Sequence, residues 1–550
     1  MEEISILIGG KAGDGIKQMG NMIARMLNYY GLHVFVYEDY QSLIKGGHNF
    51  SVIRAGIDRI DSHRDDADVL IAFDQNTLEE HRGVIKKDAL VIFDSGVCKL
   101  KKGIGVNMSL IAKENGLPSI ARNAIGLGIL AKILGIDFEN ISRVIEMCLK
   151  DHAESNIKAA KKGYEAAENR IVLKHGKLKP KTLLTGNEAI GLGAVKAGLD
   201  FYISYPMTPS TGILHFLAEN QKQLGIHVIH PENEISAAMM AQGVAYAGKK
   251  VAVGTAGGGF ALMTEALSFA GIGEIPVMFV LSQRYSPGTG VPTYTGQSDL
   301  MFALNSGHGE FSRIVAAPGD ADQAFYLSAE LMNLSWKFQI PSILLSDKHL
   351  SESTFVCSFN EKKIKEEFPK MWDRKGKYAR YRVTGNGISP LIFPGSKDAV
   401  VKATSYEHDD LGIAVEDMHW IQKMADKRLR KRETIKKYFE KKETVKVFGN
   451  PKSKFAIIGW GSVLGAARET AEELGIRFIQ PIYFKPFNSL NVANALKGVK
   501  KLIDVEMNST GQLEKILLAN GIKTNNHILK YDGRPFAQDE LRDKILKTIK

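Results

Sequence analysis

Several short strings of the sequence combine charged or hydroxyl side chains with glycine or proline, a composition typical of ligand-binding loops. The most informative is Tyr205-Pro206-Met207-Thr208-Pro209-Ser210-Thr211, which follows an apolar run and precedes an amphipathic pattern. Two prolines stiffen this loop. Thr208 is therefore expected to be held rigidly where a parallel strand ends, which is where open α/β sheets bind ligands. Ser210 and Thr211 are predicted to cap the following helix.

A carboxylate suited to acid–base chemistry follows at Glu234. Asn233 is predicted to be a helix N-cap, which puts Glu234 in the first helical turn. The helix then presents a face of small residues, so we expect Glu234 to be buried; these residues are Ala237, Ala238, Ala241, Ala245 and Gly248. Two interpretations stay open: a catalytic carboxylate tuned by burial, or one that only interacts with the helix dipole.

A single cation, Arg284, lies in the apolar strand and loop that end near Thr293. The planar guanidinium fork suits the recognition of a carboxylate. The alternative is a structural salt bridge.

Two strings near the start could face an anion. Gly10, Gly13 and Gly15 form a turn that opens a helix, where backbone N–H groups attract negative charge; the alternative is a tight turn that binds nothing. The spacing departs from G-x-G-x-x-G, although Glu38 could imitate the ribose carboxylate of a dinucleotide site. Lys45, followed by two glycines, could place a cation near a ligand or be an ordinary surface lysine.

These strings fall in three regions with alternating strand and helix patterns, which favours parallel α/β sheets. We predict domains at 1–173, 183–446 and 453–550, with a basic linker at 174–182 that contains Gly and Pro. A chain of 550 residues is too long for one core.

Composition excludes several classes of function. The net charge of +11 is concentrated between Lys423 and Lys446, a predicted charged helix with 11 Lys/Arg and 4 Asp/Glu, so nucleic-acid binding is not expected. We find neither an apolar run that could span a membrane nor a secretory signal, and we expect a cytoplasmic protein. Three scattered cysteines cannot supply the four thiolates of an iron–sulfur cluster; they are Cys98, Cys148 and Cys357.

Taken together, the strings resemble the α subunit of 2-oxoacid:ferredoxin oxidoreductases with the γ domain of that family fused ahead of it. The match runs in order through GGKAGDGI, LIKGGHN and RNAIGLG, then YPMTPST, residues 254–310 with GQSDL and HGE, and finally EHDDLG, VEMNSTGQL and YDGRPF. The resemblance implies three open parallel-sheet domains: a γ domain, a pyrimidine-binding domain of thiamine enzymes and a domain like the transketolase C-terminal one.

The resemblance also implies roles. Glu234 would contact thiamine diphosphate, with Tyr205 and Pro206 in the same site. Thr208, Arg284 and Lys45 would lie near the 2-oxoacid. Coenzyme A would bind near Gly10, Gly13 and Gly15. No metal ligand is expected on this chain, because an Asn needed beside Gly13-Asp14-Gly15 is missing from 39–43.

A partner β subunit would therefore hold the diphosphate, its Mg²⁺ and at least one iron–sulfur cluster, in an αβ pair or a doubled assembly. Ferredoxin would accept the electrons. Two loops depart from the family, at 255–259 (Thr-Ala-Gly-Gly-Gly for Thr-Ser-Gly-Pro-Gly) and at 287–290 (Pro-Gly-Thr-Gly for Pro-Ser-Thr-Gly). They put the identity of the substrate in doubt. A non-catalytic scaffold and an NAD-dependent dehydrogenase remain the alternatives.

Overall fold

The chain forms two compact units in a computed structural model that describes residues 1–41 and 47–549. Unit 1 comprises Met1–Leu184, Ser353–Ser358 and Phe536–Lys550, and unit 2 comprises Thr185–Glu352 and Phe359–Pro535. Within the described residues, no helix is both long and apolar enough to cross a membrane.

The first part of the chain alternates strands and helices before it becomes mainly helical. Its elements are β1 (Glu3–Lys11), α1 (Ile16–Tyr29), β2 (His33–Asp39), β3 (His48–Gly56), β4 (Ala67–Ala72), α2 (Gln75–Glu80), β5 (Ile85–Asp94), β6 (Ile104–Val106), α3 (Met108–Glu114), α4 (Arg122–Ile133), α5 (Phe138–Leu149), α6 (Ala153–Glu165) and β7 (Leu183–Thr185). The predicted linker at 174–182 lacks regular structure.

The middle part alternates strands and helices more regularly and ends in one long helix. Its elements are α7 (Gly186–Lys196), β8 (Phe201–Ile203), α8 (Thr211–Leu224), β9 (His227–Ile229), α9 (Glu234–Tyr246), β10 (Val251–Thr255), α10 (Gly257–Leu262), α11 (Thr264–Ile272), β11 (Met278–Gln283), α12 (Leu300–Asn305), β12 (Ile314–Ala316), α13 (Ala321–Phe338), β13 (Ser342–Asp347), α14 (Lys348–Glu352), β14 (Thr354–Val356) and α15 (Met418–Glu440).

The last part repeats the alternation on a smaller scale. Its elements are β15 (Val445–Gly449), β16 (Phe455–Gly459), α16 (Leu464–Glu473), β17 (Arg477–Pro481), β18 (Tyr483–Lys485), α17 (Ser489–Ala495), β19 (Lys501–Glu506), α18 (Gln512–Ala519), β20 (Asn526–Leu529) and α19 (Gln538–Ile549).

The sheet of unit 1 has the strand order β6-β5-β4-β1-β3-β2-β14-β7. β1 pairs in parallel with β4, from Ile6 opposite Val69, and antiparallel with β3, from Glu3 opposite Gly56. β1 is central and buried on both faces, as its continuous apolar run predicts. The strands beyond β1 on the β3 side alternate in direction, so this sheet is mixed. The sequence analysis did not identify β3, whose polar first residues, His48 and Asn49, obscure the strand pattern.

Two further sheets lie in unit 2. The larger has the order β18-β12-β13-β11-β10-β8-β9, and the five strands from β13 to β9 run parallel. The smaller has the order β15-β17-β16-β19-β20. β18 comes from the C-terminal part of the chain but pairs antiparallel with β12. The middle and C-terminal parts of unit 2 therefore share a sheet.

The predicted charged helix is α15, and two of its lysines are buried. Lys427 and Lys431 are 0% and 2% exposed, and their ammonium groups both form ion pairs with Glu274, which is 1% exposed. Burial alone would raise the pKa of Glu274, but the two ammonium groups hold it well below its usual range. Two of the positive charges of this helix thus lie in the protein interior, where they neutralise Glu274.

Candidate active site

The predicted site residues of unit 2 come from loops at the carboxyl edge of its large sheet. The chain leaves β8 toward β9 on one side and enters β10 on the other. A change of winding direction of this kind creates a crevice at the carboxyl ends of the two strands, and open α/β sheets bind their ligands there. The loops after β8, β9, β10 and β11 carry Thr208, Glu234, the Gly-rich segment and Arg284, respectively.

The loop at 204–210 is fastened from both sides. Ser204 Oγ donates to the Gly254 carbonyl over 2.7 Å, and Asn187 Nδ2 donates to the Pro209 carbonyl over 2.9 Å. The predicted cap was wrong in detail: Ser210 occupies the N-cap position of α8 but makes no side-chain cap bond. Its backbone is already helical there, at φ −72° and ψ −15°, whereas a capping residue is extended. Ser210 Oγ is buried without a partner.

Glu234 lies where the sequence analysis expected it. Asn233 caps α9 by accepting from the Ser236 amide over 2.9 Å, and Glu234 is the first helical residue, 4% exposed. Its Oε1 atom is buried and accepts no hydrogen bond from any residue that the structure describes. Because an unpaired buried carboxylate oxygen costs free energy, we infer that this atom faces a group the chain does not provide.

Arg284 is 8% exposed and lies directly after β11. Its Nη1 donates to the Thr208 carbonyl over 3.0 Å, which joins two predicted site residues. Burial lowers the pKa of Arg284, and the charge of Asp299 opposes this shift. Among the described residues no carboxylate forms an ion pair with Arg284, so the proposed structural salt bridge is absent. Its remaining donors are available to an anion.

The Gly-rich segment after β10 is shaped by two carboxylates. A Cβ atom at position 259 would lie 2.7 Å from Glu234 Oε1, and a Cβ atom at position 257 would lie 2.6 Å from Asp299 Oδ2. Gly258 would meet nothing within 4 Å. Positions 257 and 259 therefore require glycine, because a larger residue would collide with Asp299 or Glu234. Position 258 has room for a side chain.

The two departures from the family pattern differ in their structural consequence. Ala256 is the N-cap of α10 and is extended, at φ −109° and ψ 179°, so the lost hydroxyl is a lost helix cap. Gly288 adopts φ +66° with open space around it. Gly290, at φ +54°, is required, because a Cβ atom there would lie 2.0 Å from the Tyr285 carbonyl oxygen.

In unit 1 the three predicted glycines separate into two kinds. A Cβ atom at Gly15 would lie 2.6 Å from Asn123 Nδ2, and one at Gly10 would lie 2.9 Å from Ile16. These two glycines serve packing. Gly13, at φ +97°, has nothing within 4 Å and is the one open to a ligand.

The turn that holds these glycines is clamped by another string of the sequence, RNAIGLG. Arg122 Nη2 donates to Asp14 Oδ1 over 3.0 Å, and its Nη1 donates to Asp94 Oδ2 over 3.3 Å. Asn123 Nδ2 donates to the Asp14 carbonyl over 2.7 Å. The charge of Asp14 is thus paired within unit 1.

Lys45, the remaining predicted residue, lies outside the described residues. Three residues after Lys45 in the sequence is His48, whose Nε2 lies 2.8 Å from Nε2 of His81. Burial, reinforced by His48, lowers the pKa of His81 to about 4. Neutral imidazoles can share one hydrogen bond of this length, so the pair joins β3 to the end of α2.

Asp299 is the site residue that the sequence analysis missed. It lies in the string GQSDL, which was noted only as part of the resemblance. An aspartate directly before an apolar helix is the usual sign of an N-cap, so the sequence offers no signal that this side chain turns toward the Gly-rich segment.

Comparisons with known proteins agree with this arrangement. The family described as pyruvate flavodoxin/ferredoxin oxidoreductase, thiamine diP-bdg, matches residues 192–427, and pyruvate ferredoxin/flavodoxin oxidoreductase matches residues 5–166. The 2-oxoacid:ferredoxin oxidoreductase subunit alpha of Sulfolobus sp is 32% identical over 100% of this chain and 97% of its own length. Subunit alpha of 2-oxoacid:ferredoxin oxidoreductase 1 of Sulfurisphaera tokodaii is 31% identical over 100% and 98%.

A solved structure extends the likeness to the whole fold. The 2-oxoglutarate:ferredoxin oxidoreductase from Magnetococcus marinus, with 2-oxoglutarate, coenzyme A and succinyl-CoA bound, superimposes with a TM-score of 0.92 and 28% identity, covering 100% of both chains. The chain therefore belongs to the family of 2-oxoacid:ferredoxin oxidoreductase alpha subunits.

Proposed function

We propose that this chain is the α subunit, with a fused γ domain, of an enzyme that oxidatively decarboxylates a 2-oxoacid. One 2-oxoacid anion and one coenzyme A thiol give one acyl-CoA, one CO₂ and one proton, and two electrons pass singly to two ferredoxins. The observation that carries the proposal is the pair of unpaired groups at one sheet edge: the orphaned Glu234 Oε1 and the guanidinium of Arg284, which has no ion-pair partner among the described residues.

Thiamine diphosphate fits the surroundings of Glu234. Oε1 is buried and has no partner, and Gly259 leaves it room, so this carboxylate can accept a hydrogen bond from a protonated ring nitrogen. Tyr205 and Pro206 belong to the fastened loop beside it. When bound, the cofactor supplies the nucleophile and the electron sink of the decarboxylation. Glu234 would hold the aminopyrimidine ring in a site that excludes water.

The 2-oxoacid would be held by Arg284. The Thr208 carbonyl fixes one Nη of the guanidinium, which limits its rotation and leaves the other donors directed at the substrate carboxylate. Thr208 itself is only partly buried, so its hydroxyl is available to the keto oxygen. Prior orientation of these donors lowers the entropic cost of binding.

A β subunit would complete the site. One face of α9, next to Glu234, is open and apolar: Ile235, Met239 and Met240 are 52%, 41% and 45% exposed, and Leu262 at the end of α10 is 52% exposed. Exposed apolar side chains grouped beside a catalytic group are typical of a subunit interface. The partner would bring the diphosphate, Mg²⁺ and an iron–sulfur cluster to this face; the three cysteines of this chain all lie in unit 1.

Coenzyme A would bind unit 1 at the turn that contains Gly13. Only this glycine of the turn is open to a ligand, and α1 begins three residues later without an acidic residue in its first turn. Free amides at a helix start favour the phosphates of coenzyme A. Gly10 and Gly15 would shape the turn, and Lys45 would act near the 2-oxoacid.

The proposed function is tested by an anaerobic assay of the complex. The chain is co-expressed with its β-type partner and supplied with thiamine diphosphate, Mg²⁺, coenzyme A and a low-potential dye, and a panel of 2-oxoacids is tested. Dye reduction that depends on coenzyme A with at least one acid is expected, and that acid is the substrate. No reduction with any acid, by a complex that carries cofactor and cluster, would favour the scaffold alternative.

The NAD-dependent dehydrogenase is disfavoured by topology. In a dinucleotide fold the acidic residue ends the strand that is parallel and adjacent to the first. Here β3 lies between β1 and β2 and is antiparallel to both. Glu38 also accepts a hydrogen bond from Ser51 Oγ over 2.7 Å inside the sheet.

A further inference from the structure

Asp299 occupies a helix N-cap position but does not cap. It precedes α12, and its side chain makes no cap bond. By contrast, Asp74, Asp320 and Asp417 precede α2, α13 and α15 and each accept a backbone amide. Asp137 also lacks a cap bond, but it is exposed to water. Asp299 instead has a buried Oδ2 atom without a partner.

A residue distant in sequence, Gln512, caps α12 in place of Asp299. Gln512, at the start of α18, accepts from the Met301 amide over 2.8 Å and donates to the Ser298 carbonyl over 2.6 Å. A cap contributes about 1 kcal/mol, and here it comes from a distant part of the chain. The carboxyl group of Asp299 is thereby released from local backbone chemistry.

The carboxyl group of Asp299 lies against the Gly-rich segment that also covers Glu234. Its Oδ2 lies under Gly257, two residues from the Gly259 that covers Glu234. Its own amide donates to Gln283 Oε1 over 2.9 Å, so its backbone is tied to the residue that precedes Arg284. Asp299 and Arg284 form no ion pair in the described structure, yet they influence each other electrostatically.

We propose that Asp299 is a positioning residue of the oxoacid site, whose carboxyl sets the net charge beside Arg284 and so controls the affinity for the substrate carboxylate. With Asp299 protonated, Arg284 presents its full charge to the anion. With Asp299 ionised, part of that charge is neutralised and the oxoacid binds more weakly. This inference rests on the proposed function for the identity of the anion.

The charges around Asp299 make the effect specific. Burial raises the pKa of Asp299 to about 6, and Arg284 is the charged residue that opposes the shift. The side chains that β11 and α18 bring to it, Gln283 and Gln512, are uncharged. Glu234, on α9, lies under the neighbouring Gly259 and is present unaltered in every variant of the comparison described next.

The test compares the wild-type complex with Asp299→Asn from about pH 5 to pH 8. We expect the KM of wild type for its oxoacid to rise about 5- to 50-fold across this range. The KM of Asp299→Asn should stay near the low value, with a smaller change in kcat. Asp417→Asn is the matched control, because asparagine also caps and Asp417 is exposed, and it should follow wild type.

A second background separates positioning from a merely structural role. In Arg284→Gln, Asp299→Asn should no longer change the pH dependence, since the charge on which it acts is gone. An Asp299→Asn variant with the same KM slope as wild type, or a wild type with a flat KM, overturns the proposal. So does a variant that only loses stability or kcat.

Substrate binding without turnover distinguishes failure of this proposal from failure of the proposed function. Calorimetric titration of 2-oxoglutarate and pyruvate into the complex lacking thiamine diphosphate reports the affinity directly. Binding that weakens with rising pH in wild type but not in Asp299→Asn supports the role of Asp299 even if no oxoacid is turned over. Absence of binding for both acids at every pH contradicts it.

Discussion

The two Gly-rich segments of this protein look alike in sequence and differ in how their charges are satisfied. In unit 1 the turn around Gly13 has Asp14 paired with Arg122, which also bonds the buried Asp94. In unit 2 the segment around Gly258 covers two carboxylates, each with an unpartnered buried oxygen. Removing one partner of a buried ion pair destabilises a fold, whereas an unpaired buried carboxyl costs stability and is typical of functional sites. The contrast supports the proposal that the acid–base chemistry takes place in unit 2.

The largest effect is expected for Glu234→Gln. The amide cannot replace the carboxylate toward the cofactor, so kcat should fall about 10²- to 10⁴-fold. The free energy of unfolding should stay within about 1 kcal/mol of wild type or rise, because an unpaired buried charge is removed. The anaerobic assay and thermal unfolding measure the two quantities.

The control for this variant is Glu232→Gln. Glu232 is two residues away and exposed, and its carboxylate bonds only locally, to Ser236. It should keep near wild-type activity. Equal losses in the two variants would mean that the helix start, and not the Glu234 carboxylate, matters.

Substitution of Arg122 should lower stability, whereas substitution of Arg284 should weaken substrate binding. Arg122→Met leaves the 0%-exposed Asp94 side chain without its cation and should cost about 2–4 kcal/mol of unfolding free energy. Arg284→Met removes no ion pair and should leave stability nearly unchanged, while the KM for the oxoacid rises about 10- to 150-fold. Urea unfolding and steady-state kinetics on both variants decide the matter. A severely destabilised Arg284→Met would assign that residue to structure.

The stability of Asp299→Asn should exceed that of wild type at neutral pH. The folded pKa of Asp299 is raised to about 6, so in wild type stability falls as pH rises from about 4 to 6 and stays lower above that range. Asparagine does not titrate, so the unfolding free energy of Asp299→Asn should exceed that of wild type by about 1–3 kcal/mol at pH 8. Near pH 4 the two should be equally stable. Unfolding curves at both pH values measure the difference. The same gain at both would indicate improved packing.

Glycine-to-alanine substitutions sharpen the comparison inside the segment. Gly259→Ala places Cβ 2.1 Å from Thr255 Oγ1 and 2.7 Å from Glu234 Oε1, and should cost about 1–3 kcal/mol together with most of the activity. Gly258→Ala meets open space and, inside a helix, should be neutral or stabilising by up to about 1 kcal/mol. Loss of activity in Gly258→Ala without loss of stability would show that the open space is needed by the partner or the cofactor.

The smallest effect is expected for Ala256→Ser. It restores the hydroxyl that the family carries at the N-cap of α10 and should add about 0.5–1 kcal/mol. Thermal unfolding measures the gain, and kinetics on the oxoacid panel shows whether this hydroxyl also affects substrate choice. A destabilised variant would mean that the fully buried site cannot accommodate the hydroxyl.

Much of the fold follows from local pattern. The helix Ile16–Tyr29 and the strands Val251–Thr255 and Lys501–Glu506 coincide with local apolar patterns, because their apolar residues repeat with the helical period or run continuously. Asn233 caps α9 as predicted. The misses have physical reasons: Ser210 was predicted to cap from its residue type, but its backbone dihedrals forbid it. The predicted domain division at 183–446 and 453–550 stays a prediction.

The sequence by itself determined the family, through the order of its motifs, and it predicted an acid at Glu234 and an anion-binding cation at Arg284, both at strand ends. Only the tertiary structure decided which charges are satisfied. Arg122 and Asp14 are 108 residues apart in sequence, and Gln512 caps a helix 211 residues away. Whether a buried charge has a partner depends on such contacts between distant parts of the chain, and these cannot be predicted from the neighbouring residues in the sequence.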